Sequence, residues 1–274
     1  MTTPAPVAPV VIGIDVGGTT IKAALVDPGT GELASERRVV PTPRPATPAA
    51  VLDEVAALVA DLARHPVVPV GVALPAVVRD GVVGSAANID ASWIGLAVET
   101  SLRERLGRPV VVVNDADAAG VAEATFGPVD ARCGVTLVTT LGTGIGSALL
   151  VDGTLVPNTE LGHLPVDGAP AERLAATSAM HRDGLSWEAW AERLTTYYRT
   201  VELLLAPDRI IVGGAVSASA DRFLPLVRVS TPLVAATLGN DAGVVGAALL
   251  ALRHAPDGWA VPGRWAQPMR QVRG

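Results

Sequence analysis

Apolar positions along this chain follow two rhythms. Nearly continuous apolar runs over 10–16 and 20–27 flank a Gly/Thr break, and a third run covers 32–40, which predicts three strands joined by tight turns. A Pro-rich connector, Pro41-Thr-Pro-Arg-Pro-Ala-Thr-Pro48, leads to helical spacing of Val and Leu over 49–64. Strands are predicted at 67–74 and 77–83, and a helix at 95–106 that stops at Gly107. Val110 to Val113 is wholly apolar, the pattern of a central parallel strand covered on both faces, and it runs into Asn114-Asp115, which opens a helix to about Phe126. The order then restarts, with strands at 134–140 and 144–151 and helices at 171–180 and 186–205. A short strand, Arg209-Ile-Ile-Val212, meets Gly213-Gly214 and a helical start at 215–220, and a last helix covers 240–253. Residues 1–9 read as a disordered leader, and 254–274 carry no periodicity.

The restart is a repeat. Ile12-Gly-Ile-Asp-Val-Gly-Gly-Thr-Thr-Ile-Lys22 and Leu137-Val-Thr-Thr-Leu-Gly-Thr-Gly-Ile-Gly-Ser147 align without a gap at an offset of 125 residues. Each is a strand, a Gly/Thr turn and a second strand, followed by a Gly-containing turn into a third. Two readings fit Gly17-Gly18: an ordinary hairpin turn, or a phosphate cradle, since glycine lets backbone N–H groups approach an anion closely. The matched second copy, Gly142-Thr-Gly144, favours a phosphate held from both sides. Strands rather than a helix follow Gly146, so this is not a dinucleotide-binding fingerprint, and no P-loop lysine follows a Gly-rich loop. Hairpin strands followed by strand–helix alternation, given twice, argue for two related α/β domains and a cleft between them. The division is expected at 10–114 and 115–239, with helix 240–253 packing back onto the first domain.

Composition narrows the function classes. With 274 residues, 49% of them hydrophobic and 18% charged, each half can bury a core. Mean hydropathy is high at +0.40, yet no apolar run reaches the length of a membrane helix. Residues 1–9 lack the basic and apolar blocks of a secretory signal. Cys133 is the single cysteine, which excludes an internal disulfide and fits a reducing cytoplasm. A net charge of −6 offers no basic face for nucleic acid. Lys22 is the only lysine and stands beside the first Gly/Thr turn, where an ammonium would suit phosphate; a genome that favours Arg explains it equally.

Three acidic positions carry candidate chemistry, each with a plainer alternative. Asp15, replaced by Thr140 in the second copy, would repel phosphate unless magnesium intervened; otherwise it caps the turn. Asp115, where the Val strand emerges, could take a proton from a substrate hydroxyl, while Asn114-Asp115 is also a favoured helix N-cap. Glu160 and His163, three apart, suit hydroxyl recognition or metal binding, or form a polar face.

Together these motifs resemble the ROK family of sugar kinases and repressors, within the actin-like/hexokinase superfamily. The resemblance covers about 10–253 and is strongest to the actinobacterial branch that phosphorylates glucose with polyphosphate. It is carried by Gly13 to Lys22, Ala86-Ala-Asn-Ile-Asp-Ala-Ser-Trp-Ile-Gly95, Asn114 to Gly120, Leu141 to Gly146, Val156-Pro-Asn-Thr-Glu-Leu-Gly-His163, Gly184-Leu-Ser-Trp187 and Ile211-Val-Gly-Gly214. It implies two ribonuclease-H-like domains of the actin-like ATPase type. It implies that glucose is phosphorylated on its 6-hydroxyl from polyphosphate or ATP with Mg2+, in a cytoplasmic homodimer without a nucleic-acid or membrane partner. Asp115 matches the family's catalytic base. Asn88, Asn114, Glu160, His163 and Glu172 match its sugar contacts. Asp15, Gly17, Gly18, Thr19, Thr20 and Lys22 match one phosphate clamp, Gly142, Thr143 and Gly144 the other, and Gly213-Gly214 the nucleotide-side loop.

Three departures stand out. The family's cysteine-rich zinc motif is replaced by Leu164-Pro-Val-Asp-Gly-Ala-Pro-Ala-Glu172, so no zinc is expected. Ala76 and Ala215 stand where the family has Gly, each adding a methyl beside a binding surface. Only nine residues precede the first strand, so the repressors' helix-turn-helix and its DNA-binding role are not expected. The alternatives are an ATP-dependent kinase for mannose or glucosamine, and a catalytically silent sugar sensor.

Overall fold

The computed structural model describes residues 10–63, 69–85 and 89–253, so the predicted leader, the tail and Asn88 lie outside the described residues. The first half contains β1 (Val11–Val16), β2 (Thr20–Val26), β3 (Arg38–Pro41), α1 (Pro48–Leu62), β4 (Val70–Leu74), β5 (Val78–Arg79), β6 (Val82–Val83), α2 (Val98–Leu106) and β7 (Val110–Asn114). A helix, α3 (Asp115–Phe126), leads into β8 (Val135–Leu141), β9 (Ile145–Val151), β10 (Thr154–Val156), β11 (Pro165–Val166) and β12 (Ala169–Pro170). Then come α4 (Ala171–Ala175), α5 (Thr177–Arg182), α6 (Trp187–Leu205), β13 (Arg209–Gly213), α7 (Ala220–Phe223), β14 (Leu233–Ala235) and α8 (Ala242–Arg253).

Both halves build the same five-stranded sheet. The orders are β3-β2-β1-β4-β7 and β10-β9-β8-β13-β14, with the first three strands antiparallel and the last two joining in parallel. The repeat holds at the strand ends but not in the pairing. Asp15 lies opposite Lys22 and Val16 opposite Ile21, whereas Thr140 lies opposite Gly146 and Leu141 opposite Ile145. The second hairpin closes one residue sooner, which turns its second strand over relative to the ungapped alignment.

Other expectations need correction. Of the run 32–40 only β3 pairs as a strand, beyond a lone bridge from Val26 to Leu33. The stretch 77–83 is the small β5–β6 hairpin, and 171–180 divides into α4 and α5, because Ala176 is extended.

Packing follows from residue size. α1 and α2 cover one face of the first sheet through Leu52, Val55, Val59, Val98 and Leu102, and α6 covers the second through Trp190, Leu194 and Tyr198. Each such fully buried large side chain contributes about 1.5–3 kcal/mol. Between the sheets lie α3 and α8, which are rich in Ala and Gly and therefore approach closely. A Cβ on Gly71 would sit 1.9 Å from the Ala247 carbonyl oxygen, and one on Gly246 would sit 1.7 Å from that of Ala118. Neither position can carry a side chain without parting the layers.

Candidate active site

The C-terminal ends of β1, β8 and β13 and the N-terminal ends of α3 and α8 converge on a cleft of about 430 Å³. Gly17, Gly18, Thr19, Thr20 and Lys22 line it from the first hairpin, and Thr140 and Thr143 from the second. Gly213, Gly214 and Ala215 line it from the end of β13, so the extra methyl of Ala215 belongs to the cleft wall. Gly214 has φ +86, and a Cβ there would meet the Leu141 carbonyl oxygen at 2.3 Å, so only glycine fits this crossing.

Each Gly/Thr turn is strapped by one hydroxyl. Thr42 donates to the Gly17 carbonyl at 2.6 Å, and its N–H donates to the Thr19 carbonyl at 2.9 Å. Ser178 donates to the Thr143 carbonyl at 2.6 Å, and its N–H donates to Gly142 at 3.0 Å. Gly142 and Gly144 shape the second turn by their own 3.0 Å hydrogen bond. With these carbonyls engaged, both turns are held in place at the cleft.

Asp15 and Lys22 form a cross-strand ion pair, Nζ to Oδ2 at 3.1 Å. Gly243, at the start of α8, leaves room for this carboxylate, since a Cβ there would lie 2.8 Å from Asp15 Cγ. Asp115 opens on the same cleft from the first turn of α3. Its position carries both readings at once, because the Asn114 side chain is the N-cap, accepting from Ala116 N–H at 2.9 Å and Asp117 N–H at 3.0 Å. Asp115 itself is free to face the cleft, with one oxygen accepting from Ala116 N–H at 2.8 Å. Desolvation, reinforced by the charge on Asp15 and less strongly by Glu160, pushes its pKa up to about 7. The helix N-terminus favours the charged form, but burial outweighs it.

A second cluster lies around α4. His163 Nε2 stands 3.6 Å from Glu160 Oε2, and its Nδ1 stands 3.5 Å from Glu172 Oε1. Glu172 also backs the second turn, accepting from Ile145 N–H at 3.4 Å. Burial raises the pKa of Glu160, and Glu172 adds to the rise while His163 opposes it. Ser147, buried beneath, donates to the Thr159 carbonyl at 2.7 Å and accepts from Leu161 N–H at 3.0 Å, which fixes the loop that carries Glu160. The structure therefore brings Glu160, His163 and Glu172 together and couples Glu160 electrostatically to Asp115. Ala76 is buried, and its carbonyl accepts from Asn114 Nδ2 at 3.2 Å.

Several residues escaped the sequence reading. Glu123, buried on α3, lines the cleft and accepts from Thr237 N–H at 3.0 Å and Leu238 N–H at 2.8 Å. It thereby holds the segment that leads to Gly239 and Asn240, which also line the cleft. Thr42, Ser178 and Asn240 are single polar residues without a motif, and only the fold brings them here. Among the described residues no group of three or more His, Cys, Asp or Glu is set to hold a metal ion.

Residues 11–180 match the family model described as ROK family. The chain belongs to the ROK family. A polyphosphate glucokinase of Mycobacterium tuberculosis is 44% identical over 238 residues, spanning 86% of this chain and 89% of that protein. The solved inorganic polyphosphate/ATP-glucomannokinase of Arthrobacter sp. strain KM superposes with a TM-score of 0.85 at 51% identity, over 90% of this chain and 100% of that one. The ROK family glucokinase of Streptomyces griseus, solved with glucose and AMPPNP, gives 0.78 at 27% identity, over 89% and 99%. This ROK chain thus has the two-domain actin-like ATPase fold, and its paired sheets are the two copies of that fold's core.

Proposed function

We propose that this ROK protein transfers a phosphoryl group from inorganic polyphosphate or ATP to the 6-hydroxyl of glucose. The supporting observation is that Asp115 faces the same cleft as both Gly/Thr turns, with a pKa raised to about 7. A carboxylate with that affinity is a competent acceptor for a hydroxyl proton near neutral pH. In the proposed reaction Asp115 removes the proton as the sugar oxygen forms a bond to the terminal phosphorus. The bridging P–O bond breaks, and its electron pair leaves with ADP or the shortened polyphosphate. Asn88, Asn114, Glu160, His163 and Glu172 hold the sugar hydroxyls. Gly17 to Thr20, Lys22, Gly142 to Gly144 and Gly213-Gly214 hold donor oxygens.

The acidic residues of the cleft suit magnesium. Asp15 and Asp115 repel each other across the cleft, and Lys22 engages one oxygen of Asp15. Mg2+ needs only one or two protein carboxylates, with water and phosphate oxygens completing its shell. Asp15 would hold it, and when bound it would offset charge on the transferring group. Mannose is the second acceptor, because the Arthrobacter relative is a glucomannokinase at 51% identity. The reading also takes the enzyme as a cytoplasmic homodimer.

An assay for hexose 6-phosphate, run with glucose, mannose or glucosamine and with polyphosphate, ATP or no donor, tests the proposal. Donor-dependent product from glucose is expected, and less from mannose. Glucose binding without product from any donor would replace the kinase by the sugar sensor.

A further inference from the structure

Asn158 is one of five non-glycine residues with positive φ among the described residues, at φ +59. Asparagine tolerates this backbone better than most residues. Its side chain reaches into the other half of the molecule. Oδ1 accepts from Val78 N–H at 2.9 Å, and Nδ2 donates to the Val78 carbonyl at 2.9 Å. The carboxamide thus pairs with both polar groups of one residue in β5, as a neighbouring strand would. Its own N–H donates to Asp117 Oδ2 at 2.7 Å, and Asp117 is a buried residue, 2% exposed, in the first turn of α3.

The partner strip has a second attachment. Asn114 Nδ2 donates to the carbonyl of Ala76, two residues before Val78. Asn114 precedes Asp115 in the chain, and Asn158 lies two residues before Glu160. One short strip, Ala76 to Val78, is therefore grasped by two asparagines, each beside a carboxylate of the proposed sugar pocket. We infer that Asn158 is a positioning residue, a latch between the halves that sets Glu160 relative to Asp115 and so tunes sugar affinity. This inference rests on the proposed sugar kinase activity.

The full chain tests it through Asn158→Gly and Asn158→Asp. Glycine keeps the positive φ and removes the amide. Aspartate keeps the shape and an acceptor for Val78 N–H, but sets a carboxylate oxygen against the Val78 carbonyl. Losing two neutral hydrogen bonds predicts a rise in KM for glucose of about tenfold. KM for polyphosphate or ATP should stay within about twofold, because the latch touches no donor group. A merely structural residue would lower the melting temperature without separating the two constants. A wild-type KM for glucose in a folded Asn158→Gly protein, or equal rises for sugar and donor, would overturn the inference; if the glycine variant does not fold, the aspartate variant decides by the same criteria. Wild-type turnover of glucose with an unaffected latch variant refutes the latch alone, whereas no turnover by the wild type removes both readings.

Discussion

Asp115 sits where opposing effects on a carboxyl can be ranked. Its place in the first helical turn and the Ala116 N–H both favour charge, yet its pKa is raised to about 7 because desolvation and the charge on Asp15 prevail. A base must be unprotonated to act, so kcat/KM for glucose should rise with pH up to about 7 and level off above it. An ordinary carboxylate would already have levelled off near pH 4. A profile flat between about pH 5 and 8 would place the carboxyl in the ordinary range and contradict the raised pKa. Lys22 is read differently once its partner is known. The lone lysine is ion-paired to Asp15 across the strand pair, so it balances that carboxylate as well as lining the cleft.

At the scale of elements, α3 and α8 do the joining. Gly246 on α8 lets the two helix backbones touch, and Gly13 on β1 and Gly71 on β4 let α8 lie directly on strand backbone, which sets how closely the layers approach. Gly246→Ala should cost about 1–3 kcal/mol, because its methyl has no space beside Ala118. Thermal denaturation measures this, and an unchanged midpoint would mean the layers part freely. Most of these elements were legible in the sequence: Val11 to Val16 and Val110 to Val113 are apolar runs bounded by turn residues, and Asn114 and Gly107 mark helix ends. The small pieces were not. β14 and the β11–β12 hairpin are two or three residues long and exist because a neighbour pairs with them. The polar supports were equally hidden. Thr42 lies 25 residues from Gly17, and Glu123 lies 115 residues from Leu238, so no local pattern connects them.

Across the whole molecule, a duplicated sheet has become an asymmetric cleft. Of the two hairpins, the first contributes Asp15 and Lys22 to the cleft and the second the uncharged Thr140 and Thr143, while Asp115 and Glu123 add charge from α3. The one-residue difference in pairing completes the asymmetry. Lys22 faces Asp15, whereas Ser147, at the matching offset, is buried and holds the Glu160 loop. One hairpin therefore presents the Asp15–Lys22 pair to the cleft while the other anchors the loop of Glu160, and Asp115 is influenced by both Asp15 and Glu160. The most direct test is the initial rate of glucose 6-phosphate formation by wild type and Asp115→Asn, each saturated with glucose and with the donor that the wild type uses. The account predicts a loss of about 10²–10⁴-fold in kcat, with glucose still bound and the melting temperature preserved. Turnover by Asp115→Asn within about tenfold of wild type would contradict it.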